Sequence, residues 1–225
     1  ITNAQYSNTI IVTAYTKIDE NGKKNICAFI VPTNSEGLTI TDPYDKMGVR
    51  ASNTTQIVLD GVRVPKENIL GNPDKGFGQF LYTLDGGRIS IAALAVGIAQ
   101  KAFDKALAYA KERKQFKQPL SSFQAIQFKL ADMAMGIELA RNMVHKAAWL
   151  KDNGKPFTKE AAFAKLYASE IASKIANESL QIHGGYGYMK EYGIERLVRD
   201  AKLLEIGEGT SEIQRLVIAR QLGCR

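Results

Sequence analysis

The sequence predicts an α+β chain, in which part of a β-domain is followed by an antiparallel helix bundle. Two observations carry this prediction. Residues 1–73 contain short runs that alternate apolar and polar side chains, as half-buried strands do. From residue 74 to residue 225 the apolar residues recur with helical spacing, in three segments of more than 20 residues and two shorter ones. The sequence therefore places a domain boundary between residues 73 and 74.

Four short runs predict the strands. Residues 9–15 (TIIVTAY) and 26–31 (ICAFIV) are rich in β-branched and aromatic side chains, and residues 19–22 (DENG) between them favour a turn. Residues 37–41 (GLTIT) and 55–60 (TQIVLD) alternate apolar and polar side chains. These strands are few for a β-domain, so we expect its other strands to precede Ile1.

Helical periodicity predicts five helices, over residues 88–114, 121–153, 158–183 and 194–204 and from residue 211 onward. We expect Ser121 or Ser122 to begin the second helix and Thr158 to cap the third. Ser211 and Gln214 have the spacing of a capping box for the last helix. Several helix faces are rich in alanine, which suits close packing either within the chain or against another copy of it.

The composition is that of an ordinary globular protein, with 225 residues, 45% hydrophobic and 24% charged. The formal charge of +7 is spread along the chain, where Lys and Arg mostly alternate with acids. This favours a solvated surface over a nucleic-acid partner, and it also suits a phosphate-bearing ligand. We read no apolar run of about 20 residues, so we expect no membrane insertion. Two cysteines, Cys27 and Cys224, predict neither a disulfide framework nor a metal site and favour a reducing compartment.

Glu208 is the strongest candidate for chemistry. It lies between two glycines, directly before the last predicted helix. Such a carboxylate sits on a tight bend and can point into a cavity, where the helix dipole favours its ionised form and burial opposes it. A general base needs this balance. The alternative is a plain connection between two helices, with Thr210 or Ser211 as the N-cap.

Three further segments could bind a ligand. Residues 181–188 (QIHGGYGY) have glycines that allow close backbone approach to a phosphate, although a glycine helix end followed by a loop explains them equally. Residues 113–120 (RKQFKQPL) offer a cation for a pyrophosphate and an aromatic ring, or simply form a helix end with favourable cations. Residues 85–88 (DGGR) could contact a ligand or cap the first long helix.

Taken together, these segments resemble the acyl-CoA dehydrogenase family, most closely its short-chain (butyryl-CoA type) members. The resemblance covers essentially the whole chain and rests on motifs that occur in the family's order. They are residues 45–52 (DKMGVRAS), 84–88 (LDGGR), 113–116 (RKQF), 123–127 (FQAIQ), 181–187 (QIHGGYG), 199–202 (RDAK) and 208–215 (EGTSEIQR).

The resemblance implies a partial β-barrel-like middle domain followed by an antiparallel four-helix bundle. Residues 1–73 match the C-terminal portion of the middle β-domain, and residues 74–225 match the C-terminal helical bundle domain. The family's N-terminal helices and early strands have no counterpart in the chain, which raises the question of whether this polypeptide alone binds flavin or turns over. Family members usually form homotetramers, as dimers of dimers.

The resemblance also implies roles for individual residues. Glu208 is the catalytic base. The expected acyl-CoA contacts are Asp85, Gly86, Gly87, Arg88 and Gly209. The expected FAD contacts are Ile1, Thr2, Arg113, Phe116, Gln124, Gln181, Ile182, His183, Gly184, Gly185, Thr210, Ser211 and Glu212, of which the segment from Gln181 to Gly185 reaches the cofactor of a neighbouring subunit.

The implied reaction is α,β-dehydrogenation of a short-chain acyl-CoA, in which Glu208 removes the α-proton and the β-hydrogen leaves as hydride to flavin N5. Electrons then pass to an electron-transfer flavoprotein. The alternatives are an acyl-CoA oxidase and a non-catalytic or DNA-associated relative of the same flavoproteins. We expect the protein in the cytoplasm if it is bacterial and in the mitochondrial matrix if it is eukaryotic.

Overall fold

The computed structural model describes residues 1–18, 20, 22 and 24–224. The chain divides into two compact units, Ile1–Thr83 and Leu84–Arg225. This division falls inside the first long helix, ten residues beyond the boundary predicted from periodicity. The assignment of residues 1–73 and 74–225 to two domains stays a prediction.

The first unit is built from short strands. β1 (Thr9–Ile18), β2 (Lys24–Pro32) and β5 (Ile69–Leu70) form an antiparallel sheet in the order β1-β2-β5, and β3 (Leu38–Ile40) pairs with β4 (Ile57–Leu59). The sheets are open, and the described strands close no barrel. This agrees with the expectation of a partial β-domain. Of the turn predicted at residues 19–22, Asp19 and Asn21 lie outside the described residues.

The second unit is a helix bundle. Its helices are α1 (Gly76–Glu112), which begins in the first unit, α2 (Gln124–Asp152), α3 (Thr158–His183), α4 (Ile194–Ile206) and α5 (Ser211–Gln221). Three are longer than 20 residues and two are shorter, as predicted. Between α1 and α2 lies a hairpin of β6 (Lys114–Gln115) and β7 (Gln118–Pro119). α3 packs against α2, α4 and α5, so it is the central helix.

Small side chains set the bundle core. α1 and α3 each bury a stripe of alanines at helical spacing, and these side chains let neighbouring helices approach closely. The stripes are Ala92, Ala95, Ala99, Ala102, Ala106 and Ala110 on α1, and Ala161, Ala164, Ala168, Ala172 and Ala176 on α3. Larger residues such as Ile137 and Ile175 fill the spaces between them.

The predicted start of α1 is wrong. Residues 85–88 lie inside this helix, which begins at Gly76, so they do not cap it. The two glycines at positions 86 and 87 lower helix propensity, but tertiary packing commonly overrides propensity in a helix of this length.

The start of α2 and two predicted caps also differ from the prediction, whereas α3 and α5 begin at Thr158 and Ser211 as expected. α2 begins after Phe123, because Ser121 and Ser122 belong to a short 3-10 turn. Thr158 is the first residue of α3, and its hydroxyl donates to Asp85 Oδ2 at 2.6 Å instead of capping the helix. Thr210 caps α5 by accepting from the Ile213 N–H at 3.4 Å, so Ser211 and Gln214 form no capping box.

By length and composition, α1 could cross a membrane, and it is the one such helix in the described part of the chain. Core helices of water-soluble proteins pass the same test, and its alanine stripe is packed in the bundle core. The absence of membrane insertion stays a prediction.

Candidate active site

The connection between α4 and α5 is a strained bend at residues 207–209. Glu208 at its centre has a φ of 56°, in the left-handed region, and Gly209 follows with a φ of 93°. Left-handed backbone costs a non-glycine residue about 1–3 kcal/mol and persists only where its surroundings hold it. The sequence predicted a tight bend here, and the positive φ shows how tight it is.

The bend turns the Glu208 carboxylate against α1. A Cβ placed on Gly87 would lie 2.7 Å from Glu208 Oε2 and 2.9 Å from its Cδ. Only glycine at position 87 leaves this room. Glu208 is half-buried, and its Oε2 is fully buried without a hydrogen-bond partner in the described structure. A desolvated oxygen with no donor of its own is suited to accept a proton.

Two buried side chains hold the backbone of the bend. Lys165 Nζ donates to Gly209 O at 2.7 Å and to Glu205 O at 3.2 Å. Gln214 Nε2 donates to Gly209 O at 2.9 Å and to Glu208 O at 3.1 Å. Sequence reasoning did not select either residue for the site. The available signal was a lysine on the alanine-rich, core-facing side of α3, next to Ala164 and Ala168.

Several charges surround Lys165. Burial lowers the pKa of its ammonium to about 8, while the nearby Glu205 opposes that shift, Arg88 adds to it, and Glu170 and Glu208 oppose it. Lys165 therefore sits in an apolar packing environment and within the field of the Glu208 carboxylate.

Asp85 and Arg88 form an ion pair beside the bend. Both lie on α1, Arg88 is 5% exposed, and Asp85 also accepts from the Thr158 hydroxyl at 2.6 Å. Among the described residues, Arg88 Nε has no hydrogen-bond partner. Through Asp85 the pair ties α1 to the start of α3, and the buried Nε–H of Arg88 stays available to a ligand.

A separate cleft lies at the other end of α3. Its volume is about 520 Å³, within the range of cofactor pockets. None of its lining residues belongs to the bend. They are Tyr109, Arg113, Gln115, Leu120, Ile182, His183, Gly184, Gly185, Tyr186 and Met189.

Aromatic rings and one cation form the walls of this cleft. His183 stacks on Tyr109 at 4.3 Å between ring centroids, and its Nδ1 lies 2.7 Å from Ser179 O. Burial lowers the pKa of His183, partly offset by the bond to Ser179 O, and burial raises the pKa of Tyr109. Arg113 lies over the Tyr186 ring at 5.7 Å.

The floor of the cleft is glycine backbone. A Cβ on Gly184 or Gly185 would meet nothing within 4 Å, so the space beside them is open. Gly184 ends α3, as the sequence predicted, with a φ of 59°. An exposed arginine, open glycine amides and aromatic faces are the groups that bind a pyrophosphate and a flat ring.

Eight predicted cofactor contacts lie outside this lining, and three of them are exposed on the hairpin or at helix ends. Phe116 is 85% exposed, on the hairpin turn with Lys117, where both residues have positive φ. Gln124 and Gln181 are exposed at the first and third-last positions of their helices.

Two family descriptions match most of the sequence. Residues 74–223 match the acyl-CoA dehydrogenase C-terminal domain, and residues 1–62 match the acyl-CoA dehydrogenase middle domain. The chain belongs to the acyl-CoA dehydrogenase family. The chain covers the middle and C-terminal domains, which form the later part of the family's fold.

The chain is similar in sequence to several named members of the acyl-CoA dehydrogenase family. The chain is 74% identical over 222 residues to a protein of Bacillus subtilis (strain 168) named "Probable acyl-CoA dehydrogenase YngJ", covering 99% of this chain and 58% of that protein. It is 49% identical over 209 residues to "Caffeyl-CoA reductase-Etf complex subunit CarC" of Acetobacterium woodii, covering 92% of this chain and 55% of that protein.

Butyryl-CoA dehydrogenase from Megasphaera elsdenii has the same fold, with a TM-score of 0.94 and 48% identity over 98% of this chain and 57% of that one. The chain thus resembles the short-chain, butyryl-CoA type. It spans between half and three-fifths of the length of these relatives.

Apart from Phe116, Gln124 and Gln181, the residues expected from the acyl-CoA dehydrogenase resemblance fall into three places. Asp85, Gly86, Gly87 and Arg88 lie on α1, where Gly87 borders the bend that carries Glu208 and Gly209. Directly after the bend, Thr210 caps α5, and Ser211 and Glu212 are its first residues. Arg113, Ile182, His183, Gly184 and Gly185 line the cleft. Ile1 and Thr2 lie in the first unit, where Ile1 pairs with Thr55 and Thr2 bridges to Thr54. Within the described ranges, no group of three or more His, Cys, Asp or Glu residues could hold a metal.

Proposed function

We propose that this chain carries the catalytic base and part of the flavin and substrate sites of an enzyme that dehydrogenates short-chain acyl-CoA thioesters. One observation carries the proposal. The Glu208 carboxylate is held on a strained bend against Gly87, with one oxygen buried and lacking a partner among the described residues.

The proposed role of Glu208 is to remove the α-proton of the thioester. The α-proton is a very weak acid, so the thioester oxygen must be stabilised as negative charge develops on it. The Glu208 N–H is the candidate donor from this chain, as the family resemblance implies. The glycines on either side of Glu208 let the side chain and its own amide face the same substrate.

The cleft residues fit FAD. Arg113 would pair with the pyrophosphate, the open amides at Gly184 and Gly185 would approach its oxygens, and the stacked rings of His183 and Tyr109 would border a flat group. When bound, FAD supplies the acceptor for the β-hydrogen. Thr210, Ser211 and Glu212 are further proposed FAD contacts at the start of α5, of which Ser211 has a buried hydroxyl without a partner among described residues.

The proposed assembly is a homotetramer that passes electrons to an electron-transfer flavoprotein. Supporting this, one relative is named as a subunit of an Etf complex. The helices also expose large apolar side chains that a further copy could cover, namely Leu94, Phe128, Met135, Leu139, Trp149 and Phe163. Residence in the cytoplasm or the mitochondrial matrix stays a prediction.

A second candidate is reduction of an enoyl-CoA, which the reductase name of one relative favours. The same carboxylate would then return a proton to the α-carbon, because both directions share one transition state. Following flavin reduction by an acyl-CoA and flavin oxidation by an enoyl-CoA in the same preparation separates the two directions. Rapid re-oxidation of reduced flavin by air would instead indicate an oxidase. Salt-dependent DNA binding would indicate the non-catalytic alternative.

The test of the proposed function is Glu208→Gln in flavin-loaded protein. The amide keeps the shape but cannot take a proton, so dehydrogenation should fall by at least about a hundredfold while flavin content and acyl-CoA binding persist. Glu138→Gln, an exposed change on α2, is the matched control. Near-native turnover of Glu208→Gln contradicts the proposal.

A further inference from the structure

Two fully buried side chains hold the backbone of the bend in place. Lys165 and Gln214 are each 0% exposed, and they come from different helices, α3 and α5. Lys165 Nζ and Gln214 Nε2 both donate to Gly209 O. Lys165 also donates to Glu205 O, and Gln214 also donates to Glu208 O. A buried ammonium is costly and is retained only when hydrogen bonds or opposite charge compensate it.

We propose that Lys165 and Gln214 are positioning residues that fix the direction of the Glu208 carboxylate. This inference rests on the proposed function of Glu208. A glutamate with a φ of 56° is strained, so its bend needs external restraint to keep one orientation. Four hydrogen bonds from two buried donors supply that restraint.

Lys165 also contributes charge. The groups that act on its ammonium are Glu205 from α4, Arg88 from α1, Glu170 from α3 itself and Glu208 from the bend. Because Glu208 is among them, the Lys165 ammonium and the Glu208 carboxylate attract each other. A neutral side chain at position 165 would lose this attraction together with the two hydrogen bonds.

The experiment compares Lys165→Met and Gln214→Met with Ser169→Ala in flavin-loaded protein. Ser169 is equally buried one turn along α3, and its hydroxyl bonds only within its own helix, to Leu166 O at 3.2 Å. Each Met variant should lower kcat for acyl-CoA oxidation by about tenfold to a hundredfold, since small misplacements of a reacting group cost this much. KM and flavin content should stay close to those of the control.

Two readouts separate positioning from a merely structural role, namely a fall in kcat at unchanged KM and backbone hydrogen exchange at the bend. Backbone amide hydrogen exchange should rise at residues 207–210 in both Met variants and not in Ser169→Ala. Unchanged exchange at the bend together with native kcat overturns the inference.

The two proposals can fail separately. If Glu208→Gln is inactive while both Met variants turn over normally, the positioning role is wrong and the proposed function stands. If Glu208→Gln is active, the proposed function fails whatever the Met variants do. Should Lys165→Met not fold, Gln214→Met decides the inference by the same exchange and kcat measurements.

Discussion

The bend and the cleft lie at opposite ends of α3 and differ in how they meet solvent. Lys165 and Gln214 at the bend are fully buried, whereas Tyr186 in the cleft is 47% exposed. Lys165 and His183 are 18 residues apart on α3, a separation of about 27 Å along the helix axis. The bend is therefore held by buried side chains of this chain itself, whereas the cleft is open to solvent.

This contrast assigns different effects to the two regions. Changes at the bend should alter proton removal and leave flavin content intact. Changes at the cleft should alter flavin retention first.

The largest expected effect comes from Gly87→Ala. Its Cβ would lie 2.7 Å from Glu208 Oε2, so the carboxylate must move, and turnover should fall by about a hundredfold. Gly97→Ala on the same helix meets nothing within 4 Å and should gain about 0.5–1 kcal/mol of stability without loss of turnover. Full activity in Gly87→Ala would show that the carboxylate need not occupy this place.

Lys165 should make the unfolding free energy of the protein strongly dependent on pH. Burial lowers the Lys165 pKa from 10.5 to about 8, so between these values the unfolded chain binds more protons and Lys165 makes native stability rise with pH. Relative to Lys165→Met, the native protein should gain about 2 kcal/mol in unfolding free energy from pH 7 to pH 9.5. Chemical denaturation at both pH values measures it, and a constant difference would mean that Lys165 is not desolvated.

Arg113→Gln should weaken flavin binding by about tenfold, because one charge-assisted hydrogen bond to a phosphate is lost. Flavin released during dilution, followed by fluorescence, gives the affinity. Turnover per bound flavin should remain native, since Arg113 lines the cleft and not the bend. A fall in turnover per bound flavin would show that the cleft and the bend do not act separately.

The smallest effect should come from His183→Phe. Burial lowers the His183 pKa, so the unfolded chain takes up protons more readily as pH falls through the normal range of histidine, and native stability drops. Without this histidine the protein should lose less stability between pH 7.5 and pH 5.5. Equal acid sensitivity in native protein and His183→Phe would contradict the lowered pKa.

Sequence periodicity predicted the two halves, the five helices and the bend at Glu208, because these follow from local patterns. It misplaced the caps at Thr158 and Ser211. The Thr158 hydroxyl donates to Asp85 on another helix, a tertiary contact that no local pattern predicts, and Thr210 caps α5 in place of Ser211. The reason for a glycine at position 87 is visible only in the folded structure, where α1 lies beside the bend. The stack of Tyr109 on His183 joins helices distant in sequence, so no local motif predicts it.

The most direct test is exchange of the substrate α-proton with deuterium oxide, followed by mass spectrometry on an acyl-CoA bound to flavin-loaded protein. This step needs the base and not the complete oxidation. The native protein and Glu138→Gln should exchange the α-proton at equal rates, and Glu208→Gln should exchange it at least about a hundredfold more slowly. Exchange at the native rate in Glu208→Gln would place the base elsewhere.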